Sequence, residues 1–420
     1  MSTVESQLRE EIAQLTSVGL SHDEATLVAF RRVGATTETT RASLREDLDG
    51  LLRRLDEDAN AEESRASGVL PVVIWALVVA GLAQLARLTV DEWDSEHRMV
   101  LNFSLVVLPA LTCYFAQVRG LGWRSWLVCL TPYVLFATIV NLYPFGAYDS
   151  TQDLVVFYLP VLFWFTMSMA YMGGLWRSLD ERLKFVRFSG EWAVYYVLLI
   201  FGGGILSALT VELLQPVSEF AEDWVWELMV PSGAAAAVIV AAWLAESQRR
   251  VAENVAPVLT LVFTPLFAAV LVFALTATSL TGFGAEFDRE RLITLDVLLI
   301  VVLGLVIYSQ SARATNSSPS ASDGIQLVMV VAALLLDLTV LVQMGIRIGE
   351  FGFSANKTAA LGLNLVVCAN LAVTALLSLR FIRGRRPFDQ LVRWQLKFLP
   401  VFPAWSAIVV VAFPPLFGFN

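Results

Sequence analysis

The sequence predicts an all-α protein that crosses a membrane many times, and three observations predict it. Composition is the first: 57% of the 420 residues are apolar and 16% are charged, with a mean hydropathy of +0.66. A soluble domain carries about 25% charged residues. The second is a series of apolar runs of 20 or more residues from Val69 onward, each long enough to cross ~30 Å of hydrocarbon as a helix. The third is where the charge lies. Of the net −9, residues 1–65 hold −6, in 14 acids and 8 bases, so a small acidic head precedes a nearly neutral apolar body.

The head, residues 1–60, reads as three short helices. Val4, Leu8, Ile12 and Leu15 recur at helical spacing. Ser21 with Glu24 forms a capping-box pattern for a second helix, which Gly34 closes as its C′ residue. Thr36 or Thr37 caps a third, with Leu44, Leu48, Leu51, Leu52 and Leu55 on one face. The segment is too polar for a secretory signal, and so small a domain buries little of itself, so it is expected to dock on something.

Eleven spans are drawn within a transmembrane domain of residues 69–417: 69–88, 99–118, 124–143, 154–176, 192–214, 224–245, 255–280, 292–311, 324–344, 358–379 and 398–417. The last contains Pro400, Pro403, Pro414 and Pro415, which leaves ten spans as the alternative. With the N-terminus inside, the cytoplasmic loops and flanks after residue 118 hold 15 Lys/Arg, and the external ones hold five in all. That is the positive-inside bias. The external loops are acidic, as at Asp91, Glu92, Asp94 and Glu96.

Several function classes are excluded or disfavoured. An acidic chain without a basic stripe argues against nucleic-acid binding. Cys113, Cys129 and Cys368 lie in apolar stretches and read as small buried hydrophobes. His22 and His97 stand apart from Cys and from each other, so no metal site and no cofactor is expected. GxxxxGK[ST], GxSxG and HExxH are absent, and no acid–base cluster supports an intramembrane enzyme.

Residues 8–34, LREEIAQLTSVGLSHDEATLVAFRRVG, contain a helix, then Gly19-Leu20-Ser21 with Glu24-Ala25, then Arg31-Arg32-Val33-Gly34. In these features they resemble the permease-prefix domain of bacterial membrane proteins. The resemblance implies a cytoplasmic domain ahead of a polytopic, permease-like body. GEWAVYYVLLIFGGG (190–204), AAWLAESQRR (241–250) and VLTLVFTPLFAAVLVFALT (258–276) look like an uncharacterised multi-span bacterial family of unknown function. The 26 Arg to 3 Lys suggest a GC-rich bacterial genome.

Charges inside spans cost at least ~2.5–3.5 kcal/mol on insertion scales, so each is a functional candidate. Asp337, in LLLDLTVLVQ, is the foremost, with Asp296 in span eight; Glu212 and Glu227 read as interfacial acids. Asn364 in span ten is placed at the depth of Asp337, so the two are expected to pair across a helical hairpin. Arg87 is the nearest candidate countercharge. The bland alternative for the Asp337–Asn364 pair is a polar contact that only orients helices.

Gly202, Gly203 and Gly204 fall mid-span, where transporters break helices; close packing against Gly233–Ala237 is the competing reading. The segment 380–397, with Arg383, Arg385 and Arg386 among six bases, is expected to meet anionic lipid headgroups. Alternatively it docks the acidic head as a latch. The functional expectation is therefore a bacterial inner-membrane permease-like protein, not an enzyme. It would move a small solute or ion by alternating access with Asp337 as coupling carboxylate. The alternative is a non-transporting receptor or scaffold whose prefix domain relays a signal. Composition says nothing of oligomeric state.

Overall fold

In the computed structural model, the described residues are 11–16, 25, 28–29, 69–88, 95–145, 150–215, 221–247, 249–281, 289–313 and 317–419. Every regular element among them is helical. The chain divides into two units, Met1–Gly68 and Val69–Asn420. Of the first, residues 11–16 form a helical turn in which Thr16 Oγ1 donates to the Ile12 carbonyl at 2.7 Å, and Ala25 and Ala29 are buried. The predicted Ser21–Glu24 cap, Gly34 and the leucine face of the third helix lie outside the described residues.

The second unit comprises α1 (Val69–Leu88), α2 (Ser95–Val118), α3 (Trp123–Leu142), α4 (Ser150–Tyr171) and α5 (Leu179–Leu214). Next, Ala221–Trp224, a π turn at Val225–Met229 and Val230–Ser247 run on as α6. Then follow α7 (Arg249–Thr281), α8 (Arg289–Ala312), α9 (Ala321–Phe351), α10 (Ala355–Ile382), α11 (Asp389–Phe398) and α12 (Val401–Leu416). Among the described residues, ten stretches are long and apolar enough to cross a membrane, with α11 and α12 taken as one. The protein is an all-α polytopic membrane protein.

The eleventh expected span, 99–118, is α2. It has 24 residues, ~36 Å of helix, but its apolar part is Phe103–Val118, because Ser95–Arg98 is polar. The expected last span also differs. The chain breaks at Leu399-Pro400, leaving α11 with 10 residues and α12 with 16, the latter ~24 Å long. Pro403 lies in the first turn of α12, where its missing N–H has no helical acceptor to lose.

Helix ends explain most other differences from the predicted spans. α4 stops at Tyr171 rather than 176 because Gly173 and Gly174 take positive φ (61° and 84°), and Gly174 N donates to the Met169 carbonyl at 3.1 Å. That is a glycine C-cap. α5 begins at Leu179, well before the apolar run, because Ser178 caps it and Asp180 and Glu181 occupy its first turn.

Two larger side-chain cores hold the unit together. One joins α1 to α6 around Leu111, Phe115, Tyr133, Phe163 and Phe188 and runs on to Phe381 of α10, Leu391 of α11 and Val410 of α12. The other joins α7 to α10 around Leu299, Val302, Met329, Leu336 and Leu371. Arginines brace one end of the bundle. Arg119 pairs with buried Glu246 at 3.3 Å, Arg182 donates to the Leu396 carbonyl at 3.0 Å, and Arg313 pairs with buried Asp323. Asp323 also closes a capping box with Ser320 at the start of α9.

Candidate functional site

Three helices of the second core place polar groups inside the membrane-spanning region. Asp296 lies two turns into α8, and Asn364 nearly three turns into α10. Asn364 Nδ2 donates to Asp296 Oδ1 at 2.9 Å and to the Ala360 carbonyl at 3.0 Å, and touches Met344 Sδ at 3.7 Å. Asp337 is fully buried near the middle of the 31-residue α9. Among the described residues, neither of its carboxylate oxygens has a hydrogen-bond partner. Asp296 and Cys368, the latter one turn beyond Asn364, lie within electrostatic reach of it.

The structure therefore corrects the expected Asp337–Asn364 pair: Asn364 meets Asp296. The physical reason is depth. Both helices extend past their apolar runs, α9 to Phe351 and α10 back to Ala355. Asn364 consequently stands level with Met344, seven residues or ~10 Å along α9 from Asp337.

Beside this cluster is a cleft of about 870 Å³ between α4, α8, α9, α10 and α12. Its walls come from both cores, with Phe157 and Val161 of α4 on one side and Val297, Ile300 and Leu303 of α8 on another. Asp296 is on the wall; Asn364, which donates to it, and Asp337 are both buried and do not line the cleft. Asp153, Arg347, Ser354, Asn356 and Lys357 ring one end. Trp405 forms part of the far wall and packs on the backbone of Gly362, where a Cβ would come within 2.0 Å of the indole.

Other expected site residues fall elsewhere. Arg87 is not the countercharge of Asp337: its Nη1 binds Glu227 Oε2 at 2.7 Å. Its neighbour Gln84 donates to the Glu227 and Leu228 carbonyls at 3.2 and 3.0 Å and to Ser232 Oγ at 2.8 Å. These contacts serve the π turn of α6, whose widened hydrogen-bonding pattern leaves carbonyls to be satisfied.

Gly202, Gly203 and Gly204 neither break a helix nor pack on a neighbour. α5 runs unbroken through them, and a Cβ at any of the three would meet nothing within 4 Å. Each glycine costs about 1 kcal/mol of helix propensity, but an unsatisfied backbone in hydrocarbon costs more, so the helix persists.

Arg383, Arg385 and Arg386 are exposed on the turn between α10 and α11, which Gly384 makes at φ 68°. α11 itself is amphipathic. It buries Leu391, Val392 and Leu396 in the larger core and exposes Arg393 and Lys397. Its underside carries a buried network that the sequence reading missed: Asn370 Nδ2 donates to Gln395 Oε1 and Gln395 Nε2 to Thr374 Oγ1, both at 2.9 Å. Amides recurring inside apolar helices were the available signal.

Compared with known proteins, the chain matches no family model, no curated protein and no solved structure.

Proposed function

We propose that the protein is a permease-like transporter of a bacterial inner membrane, with its N-terminus cytoplasmic, that moves a small solute coupled to a proton or cation. One observation carries the reading. A carboxylate, Asp296, faces a large cleft at membrane depth, and a second, Asp337, lies buried within electrostatic reach of it, with neither oxygen hydrogen-bonded among the described residues. A buried polar pair that served only to orient helices would be mutually satisfied. Ionised Asp337 needs a compensating positive charge, and a bound proton or cation supplies one. The cleft lies where helices of the two larger cores meet.

Flux in liposomes containing the full chain tests this. Vesicles loaded with a pH-sensitive dye and challenged with a panel of organic anions and cations should show proton movement that depends on one of them. Asp296→Asn should abolish that movement while keeping the acceptor for Asn364. Intact protein that moves no proton or solute across the panel would favour the receptor reading, in which the cleft binds a ligand and the prefix domain relays it.

A further inference from the structure

The cleft has a marked polarity along its length. Asp153, Arg347, Ser354, Asn356 and Lys357 gather at one end, and beyond Asp296 the α8 wall continues as Val297, Ile300, Leu303, Gly304 and Ile307. From Leu292 to Ile307 that wall is ~22 Å long. Along this face a compact polar solute would find no hydrogen bonds, those of Tyr158, Trp405 and Ser406 lying on α4 and α12, at a cost of about 1–3 kcal/mol for each unsatisfied group. Hydrocarbon has no such groups.

The cleft also opens sideways. Phe157, Ile293 and Val297 line it, yet they remain 74%, 51% and 55% exposed. Set in a bilayer, so exposed an apolar rim would meet lipid chains, which would give a hydrocarbon chain a route between α4 and α8. At the mouth, sign and burial act together: Arg347 and Lys357 are half-buried, whereas Asp153 is exposed. Charges in drier surroundings act more strongly, so the mouth favours an anion whenever Asp296, on the same wall, is protonated. Lys357 is held by its own turn, its Nζ donating to the Gly352 carbonyl at 3.2 Å.

We propose that the solute is an anionic amphiphile drawn from the bilayer, with its headgroup at Arg347 and Lys357 and its hydrocarbon chain along α8. This names the solute class for the transport reading and rests on it.

The test uses the full chain in lipid nanodiscs and three photoreactive probes of one chain length, each with a mid-chain diazirine. One ends in a carboxylate, one in an alcohol and one in a trimethylammonium group. The carboxylate probe should label peptides of α4 and α8 saturably and be displaced by unlabelled fatty acid, and the other two should label them weakly. Arg347→Gln with Lys357→Gln should lower labelling at sub-saturating probe at least about tenfold, since each base near the headgroup contributes about 1 kcal/mol.

Gly304→Phe, at a wall position where a Cβ meets nothing within 4 Å, should block labelling by filling the cleft. The comparison of headgroups on the native chain decides the matter even if a variant fails to fold. Equal labelling by all three probes, or labelling that Gly304→Phe leaves unchanged in folded protein, overturns the assignment. Headgroup-selective labelling by a protein that moves no solute would leave this site standing and remove the transport reading. Proton-coupled flux of a soluble ion in protein that ignores the carboxylate probe would do the reverse.

Discussion

Replacing Asp337 separates a working carboxyl from structural glue. Both of its oxygens are buried and, among the described residues, lack hydrogen-bond partners, and an unsatisfied buried polar group costs about 1–3 kcal/mol. Leucine has the same branching without the polar atoms. Asp337→Leu should therefore raise stability by up to that amount, less whatever strain the bulkier methyl groups introduce. Asp337→Asn, which keeps the shape and removes the charge, should be near neutral. Thermal unfolding in detergent micelles, alongside the native chain, measures both, and the expected gain is a rise of a few degrees in Tm for the leucine variant. A residue retained at a cost in stability is one retained for function. Breaking a buried, paired charge instead costs about 3–5 kcal/mol. A loss of that size in Asp337→Leu would mean that the carboxyl holds the helices together, and the coupling role would fail.

Three further outcomes follow from the packing. Gly362→Ala forces a methyl against the Trp405 indole and should cost about 1–3 kcal/mol as overpacking. Gly304→Ala, with open space at its Cβ, should raise stability by up to about 1 kcal/mol in the same unfolding assay. Arg313→Ala removes the cation paired with buried Asp323 and should destabilise by about 3 kcal/mol or more, visible as a lowered Tm that Arg313→Lys partly restores. Reversing Arg383, Arg385 and Arg386 to Glu should abolish the thermal stabilisation that anionic lipid gives over neutral lipid, since each base near such a surface contributes about 1 kcal/mol. Stabilisation that survives the reversal would move the lipid contact elsewhere.

The span pattern was legible because apolar length and charge bias are local properties of the chain. Helix ends were not, because polar residues extend helices beyond their apolar runs. Asp337 is seven residues from the end of the drawn span 324–344, but α9 continues to Phe351 and puts it at mid-helix. Asp296 is four residues into the drawn span 292–311, but α8 extends back to Arg289 and Asn364 of α10 pairs with it, which span length alone does not reveal. Azimuth was equally hidden. Gly202–Gly204 suggested a break only because nothing in the sequence says which way they face. Arg87 was assigned by depth to the wrong acid, since the π turn that presents Glu227 to it has no sequence signature. The cleft is a property of five helices from two cores, so no local reading could have found it.

Whether Asp296 and Asp337 exchange protons with the cleft is read most directly by dicyclohexylcarbodiimide, an apolar reagent that modifies protonated carboxyls within membranes. In the full chain in liposomes, peptide mapping should find adducts on Asp296 and, more slowly, on Asp337, and proton-coupled flux should fall in step with modification. Neither carboxyl modified, or both modified with flux unchanged, would contradict a coupling role for the pair.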